Sequence, residues 1–97
     1  MLLGQEDFIP AVRSLRESGA RFLTLEARSL PGGEVELLYS FAREGEVRTL
    51  RTWTVERAVP SLFSFYGSAD FPEREAARTF GVKFLGHPNL PRPGGGA

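Results

Sequence analysis

The sequence has no cysteine, a single histidine and no long apolar run. Without cysteine the chain has no disulfides, no thiolate-held zinc, no cysteine-ligated iron–sulfur cluster and no cysteine nucleophile. No segment approaches the roughly 20 apolar residues that cross a bilayer. The first residues lack the basic and apolar stretches of a secretory signal. We therefore expect a cytoplasmic protein.

Charge of one sign is also lacking, because twelve basic residues balance twelve acidic ones. No large positive field would draw the chain to nucleic acid or directly to an anionic membrane. The 97 residues are 41% hydrophobic and 25% charged, which is typical of a small globular fold. We expect one domain over residues 1–90, followed by a flexible tail rich in proline and glycine over residues 91–97.

The first half of the chain predicts a helix followed by an antiparallel meander. Apolar residues at helical spacing predict a helix from about Gln5 to Ser18 that ends at Gly19. Alternating apolar residues then predict three strands, over about 21–28, 34–42 and 47–55. The second strand has Val35, Leu37, Tyr39 and Phe41 on one face. The third has Val47, Thr49, Trp53 and Val55 on one face, and we expect Trp53 in the core.

The second half predicts two short helices and a short strand. Val59, Leu62, Phe63 and Tyr66 lie at helical spacing. A second helix is expected from about Pro72 to Thr79, capped by Asp70 and stopped by Gly81. Residues 82–85 read as a last strand that returns to the sheet. The fold class is therefore α+β in two layers.

Residues 59–90 carry a pattern that is more specific than this outline. They read VPSLFSFYGSADFPEREAARTFGVKFLGHPNL. This segment resembles the signature of the C-type subunit family of the NADH-quinone oxidoreductases, which matching subunits of membrane-bound NiFe hydrogenases share. The residues at the family's spacing are Glu73, Arg74, Glu75, Phe80, Gly81, Phe84, Gly86, His87 and Pro88. Two positions depart from the pattern: Phe71 stands where the family usually has tryptophan, and Arg78 where it usually has aspartate.

The resemblance implies a non-catalytic structural subunit of an electron-transfer complex, with no catalytic residues and no cofactor or metal of its own. Such a subunit packs against the quinone-site subunit, or against the hydrogenase large subunit, and reaches the inner face of the membrane only through its complex. The expected partner interface consists of Glu73, Arg74, Glu75, Phe80, Phe84, His87 and Pro88. The alternative is a free-standing homo-oligomeric binding module, which the altered Arg78 and the glycine-rich tail favour.

The residues of the motif leave several roles open. Glu73, Arg74 and Glu75 form either a solvated helix start or a buried polar junction that helps fix a docking surface. Glu75 and Arg78 are three apart and can pair on one helix face. Glu73 and Glu75 are two apart and point in different directions, which disfavours an acid–base pair.

His87 and the aromatic residues of the last third leave similar alternatives. His87 either hydrogen-bonds backbone in a rigid turn or contacts a partner, since one histidine without cysteines is a poor metal site. Most of the aromatic residues are expected in the core, and an exposed apolar patch among them would mark a partner surface. This set comprises Phe63, Phe65, Tyr66, Phe71, Phe80 and Phe84.

Overall fold

A computed structural model describes residues 2–88 of the chain. Met1 and residues 89–97 lie outside this range, and so does the predicted tail. The fold is α+β, with an N-terminal helix, a three-stranded antiparallel sheet, two short helical elements and a small parallel sheet. The elements are α1 (Gln5–Glu17), β1 (Arg21–Ser29), β2 (Val35–Arg43), β3 (Glu46–Trp53), β4 (Ala58–Pro60), a 3₁₀ turn (Gly67–Ala69), α2 (Asp70–Phe80) and β5 (Lys83–Leu85).

Helix α1 covers one face of the meander, as the apolar spacing predicts. Phe8 and Val12 are fully buried. The ring of Phe8 lies 5.0 Å from that of Tyr39 on β2. Pro10 lies inside the helix, which nevertheless begins at Gln5. The chain leaves the helix through Gly19, whose positive φ of 91° suits glycine.

The meander has the predicted order β1-β2-β3, but the inward face predicted for β3 is wrong. Leu50 and Thr52 are buried, whereas Val47 and Trp53 lie on the opposite face and are exposed and half-buried, respectively. Antiparallel partners share a face, and Leu50 pairs with the buried Tyr39. The tight hairpin between β2 and β3 fixes this register, so Val47 and Trp53 face outward.

The outward face of the meander holds a buried carboxylate. Glu36 is only 6% exposed although it points away from the core. The guanidinium of Arg28 lies 2.5 Å from one of its oxygens, and that of Arg51 lies 3.5 Å from the other. The two arginines, one on each neighbouring strand, thus cover Glu36 and compensate its charge.

The predicted helix over Val59–Tyr66 is wrong, because the chain forms β4 and then a single turn. The backbone N–H groups of Phe65 and Tyr66 both donate to the carbonyl of Leu62, so one helical turn accounts for the helical spacing. Strand β4 pairs in parallel with β5, with Val59 opposite Phe84. The last strand therefore joins this second sheet and does not return to the meander.

Helix α2 matches the second predicted helix and is fixed at its C-terminal end. Gly81 caps it with a left-handed φ of 71°. The guanidinium of Arg57 lies close to Gly81, because a Cβ added there would be 3.4 Å from Arg57 Nη1. A cation at this helix end is favourable. Arg57 and Glu56 both have positive φ, so the turn before β4 holds a strained backbone that brings Arg57 to α2.

The burial of Phe8 and the exposure of Phe71 predict that truncating these two side chains has very different effects on stability. Phe8→Ala should lower the free energy of unfolding by about 3–5 kcal/mol, because it leaves a cavity against Tyr39. Phe71→Ala should lower it by less than about 1 kcal/mol, because that ring is 62% exposed. Urea denaturation of the two variants measures both values. Equal losses would contradict the placement of α1 over the meander.

Candidate functional site

The family-like segment is organised around the carboxylate of Glu73, which is fully buried on the inward side of α2. The hydroxyl of Ser61 donates a hydrogen bond of 2.6 Å to Oε1, and the backbone N–H of Leu62 donates one of 2.8 Å to Oε2. The N–H of Phe63 in turn donates to Ser61 Oγ at 3.0 Å. Glu73 therefore holds the turn after β4 against α2. Glu73 is thus a buried polar junction, whereas Arg74 is exposed and Glu75 is half-buried, each in an ion pair within the helix.

The single histidine packs beside this carboxylate. The imidazole of His87 is fully buried, with Nε2 2.9 Å from Asp70 Oδ1 and 3.9 Å from Glu73 Oε1. Its ring lies 5.5 Å from that of Phe63. The predicted capping role of Asp70 is wrong: Asp70 lies inside α2, and Ala69 occupies the cap position without a side-chain hydrogen bond. Within residues 2–88, no group of three or more acidic, histidine or cysteine side chains could hold a metal ion.

Burial dominates the electrostatics of the junction. Loss of solvent raises the pKa of Glu73, and the hydrogen bonds from Leu62 and Ser61 and the nearby His87 oppose this shift in part. Burial, together with the charge of Glu73, also raises the pKa of Tyr39 well above its ordinary value. Tyr39 Oη has no hydrogen-bond partner among the described residues. The interior beneath α2 is thus poorly solvated, and the hydrogen bonds of Glu73 there do not compete with water.

The outward side of α2 has a different character. Phe71 is 62% exposed, and the guanidinium of Arg74 lies 5.9 Å from the centre of its ring. Arg74 also donates to Asp70 Oδ1 at 3.1 Å, one turn earlier in the helix. Arg78 pairs with Glu75, as their spacing predicts. Together, Phe71, Arg74, Glu75 and Arg78 form a stripe that we call the α2 outer face.

The residues expected at a partner interface divide between the interior and the surface. The side chains of Glu73, Phe84 and His87 are buried. Arg74 and Pro88 are exposed, while Glu75 and Phe80 are partly buried. Their role at an interface stays a prediction. The structure brings Glu73 and His87 together, but it holds Glu73 and Glu75 on different sides of α2.

The sequence did not predict the roles of three residues of the site: Ser61 as a partner of Glu73, Asp70 as a partner of His87, and Phe71 as an exposed ring. Ser61 follows Pro60 at the start of the family-like segment, and this position was the available signal for a partner of Glu73. Asp70 gave only a capping signal, because its contact with His87 joins two distant parts of the chain. Phe71 was expected among the mostly buried aromatic residues. Its neighbour at helical spacing, Arg74, was the sign of a polar face, and a helix that buries positions 73 and 76 must expose position 71.

The raised pKa of Glu73 predicts a specific pH dependence. Because burial raises the pKa of Glu73, the folded chain releases this proton at a higher pH than the unfolded chain, whose pKa is the ordinary 4.5. Wild-type stability should therefore fall as the pH rises from 4.5 towards the pKa in the folded state. Glu73→Gln cannot titrate and lacks this component.

Urea denaturation at a series of pH values measures the difference in free energy between wild type and Glu73→Gln. The advantage of the wild type should be greatest at about pH 4 and shrink as the pH rises. Glu17→Gln, which removes an exposed carboxylate at the end of α1, is the control. A wild-type advantage that grows with pH would show that hydrogen bonds outweigh burial at Glu73.

Sequence relatives of the chain are C-type subunits of quinone oxidoreductases. The NADH-quinone oxidoreductase C/D subunit of Shewanella woodyi is 31% identical over 93% of the chain and 18% of its own length. The NADH-quinone oxidoreductase C subunit of Salinispora arenicola is 38% identical over 77% of the chain and 30% of its own length. The C subunit of Phenylobacterium zucineum is 42% identical over 57% of the chain and 26% of its own length. The chain thus spans less than a third of each of these relatives.

Solved structures share the fold. Nqo5, as a trypsin-resistant fragment, superposes with a TM-score of 0.80 at 22% identity, over 92% of this chain and 80% of that one. A chain of the membrane-bound sulfane sulfur reductase, an archaeal respiratory membrane complex, superposes with a TM-score of 0.83 at 24% identity, over 95% and 59%. The family model for the respiratory-chain NADH dehydrogenase, 30 Kd subunit, matches residues 2–93. The chain belongs to this family.

Proposed function

We propose that this chain is a non-catalytic structural subunit of an electron-transfer complex, either of the NADH-quinone oxidoreductase type or of the membrane-bound hydrogenase type. Its sequence relatives are named as subunits of quinone oxidoreductases, and one structural relative comes from a respiratory membrane complex. The observation that carries the proposal is the α2 outer face. There the exposed ring of Phe71 and the guanidinium of Arg74 lie on a helix that the buried Glu73 holds to the rest of the fold.

The α2 outer face has the composition of a binding surface. Aromatic residues and arginine are enriched among the residues that contribute most to protein–protein affinity. Phe71 exposes most of its ring, and Arg74 lies beside it with its guanidinium held by Asp70. Leu85, on β5, is a further large apolar residue with more than half of its surface exposed. A partner that covered Phe71 would remove this apolar surface from water.

The buried motif residues would act through the shape of this face. Glu73 holds α2 to the turn after β4, and His87 reaches Asp70 at the start of the same helix. The helix that bears the outer face therefore needs little ordering when a partner binds, which favours affinity. In this proposal Glu73, Phe84 and His87 position the interface, while Arg74, Glu75, Phe80 and Pro88 lie at or near it.

The partner in this proposal is the subunit that bears the quinone site, or its counterpart, the hydrogenase large subunit. The chain would carry no redox centre and would sit at the inner face of the cell membrane through its complex. None of the helices within residues 2–88 is long and apolar enough to cross a membrane.

Phe71→Ala tests the proposed face. Tagged protein is purified from its native cells, and co-purifying subunits are identified and quantified by mass spectrometry. We expect redox subunits with the wild type and a decrease of about tenfold or more in affinity for Phe71→Ala, because it removes a central apolar contact. Val47→Ala is the matched control, since Val47 is 64% exposed on the outer face of the meander. Recovery of the wild-type chain alone, or as a homo-oligomer, would refute the proposed function.

Arg74→Ala separates binding from folding. It should weaken recovery of the partner more than it lowers the melting temperature, because the pair with Asp70 is exposed and contributes little to stability. Thermal denaturation and the same purification provide the two readouts. If the variant mainly unfolds the isolated chain, Arg74 is a structural residue and does not belong to the interface.

A further inference from the structure

A second surface lies between the C-terminal half of α1 and the hairpin of β2 and β3. It is a half-open cleft of about 360 Å³. The buried side chains of Phe41 and Leu50 line it, together with the half-buried Leu15 of α1. Ser14 and Ser18 add hydroxyl groups on the helix side. This volume is at the lower end of the range of about 300–1,000 Å³ for ligand pockets.

The charged groups of the cleft are all of one sign. Arg43 and Arg48 line it, and within residues 2–88 no acidic side chain does. The nearest carboxylates along the hairpin, Glu44 and Glu46, are exposed at its tip. The cleft therefore combines an apolar floor with a positive rim.

The two arginines differ in how they are satisfied. Arg43 donates from Nε to the carbonyl of Ser18 at 2.9 Å and lies 3.9 Å from Glu44. It thereby compensates the negative end of α1. Arg48 has no ion pair among the described residues, although it pairs in register with the buried Phe41 and so points to the inward side of β3. Within residues 2–88, Arg48 therefore offers a cation without an ion pair at the rim of a cleft with a largely buried apolar floor.

We propose that this cleft binds a segment of a partner protein that carries a large apolar side chain next to a carboxylate. The apolar side chain would contact Leu15, Phe41 and Leu50, and the carboxylate would pair with Arg48. Charge complementarity selects such a segment, because an apolar residue alone would leave Arg48 unpaired at a newly dehydrated rim. A segment with a basic neighbour would meet like charge.

This inference rests on the proposed function only in requiring a complex with partner proteins. It does not depend on the α2 outer face, because α1 and the hairpin form the cleft, whereas that face lies on α2. Failure of one surface leaves the other intact.

A first experiment tests the chemistry of the cleft with the full chain alone. The probe is 8-anilinonaphthalene-1-sulfonate, which joins an aromatic system to an anion. We expect the native wild type to bind it with increased fluorescence, and Arg48→Glu to bind about tenfold more weakly at an unchanged melting temperature. Lys83→Glu, which makes the same charge change on β5, is the control and should bind as the wild type does. Equal weakening in both variants, or none in either, would overturn the assignment of the cleft.

A second experiment identifies the occupant in the assembled complex. A photo-crosslinking p-benzoylphenylalanine replaces Ser14, and mass spectrometry locates the cross-linked peptide. We expect a partner segment with an apolar residue next to an aspartate or glutamate. Arg48→Glu should abolish the cross-link, and a change of that acidic residue to lysine should restore it. A bound lipid, a second copy of this chain, a segment without a carboxylate, or a complex that forms without any cross-link would each overturn the proposal.

Discussion

The contact between the carboxylate of Glu73 and the turn that follows β4 determines the arrangement of the whole second half of the fold. Both carboxylate oxygens accept hydrogen bonds, from Ser61 and from the backbone of Leu62. A buried carboxylate without such donors would be strongly unfavourable. The turn and α2 therefore stabilise each other's position, and β4, β5 and His87 pack around the two. The strained Glu56–Arg57 turn adds a second constraint, since it brings a cation to the other end of the same helix.

The sequence predicts the elements whose signals are local. The apolar spacing of α1, the alternation in β2 and the stop at Gly81 each depend on residues within one or two turns of chain. It fails where a distant contact decides the outcome. The positions from Val59 to Tyr66 have helical spacing, but Pro60 and its neighbours pair with β5, far along the chain. The inward face of β3 fails for a similar reason, because hairpin register decides whether Leu50 or Trp53 faces the core.

The sequence predicts which residues belong to the candidate site better than it predicts where their side chains lie. The motif spacing singles out Glu73 and His87, and the structure brings the two side chains to within 3.9 Å. The motif spacing does not reveal that the side chains of Glu73 and His87 are buried whereas that of Phe71 is exposed. That division follows from the phase of α2, which a short segment with both apolar and charged residues on every side leaves ambiguous. Likewise, the cleft beside Arg48 forms where α1 meets the hairpin, two elements that only the tertiary structure brings together.

The two departures from the family pattern both lie on the exposed side of α2, and this placement explains why the fold tolerates them. Glu73, Phe84 and His87 match the pattern, and their side chains are buried. Phe71 and Arg78, which depart from it, both lie on the α2 outer face, and Arg78 pairs with Glu75 on the same helix. Changes confined to an exposed stripe leave the internal hydrogen bonds intact, so they alter what the surface fits without altering the fold. Glu73, Phe84 and His87 are thus the buried part of the signature, whereas Arg74 and Glu75 share the α2 outer face with the two departures. In the proposed function, positions 71 and 78 are where the surface offered to a partner differs from the family pattern.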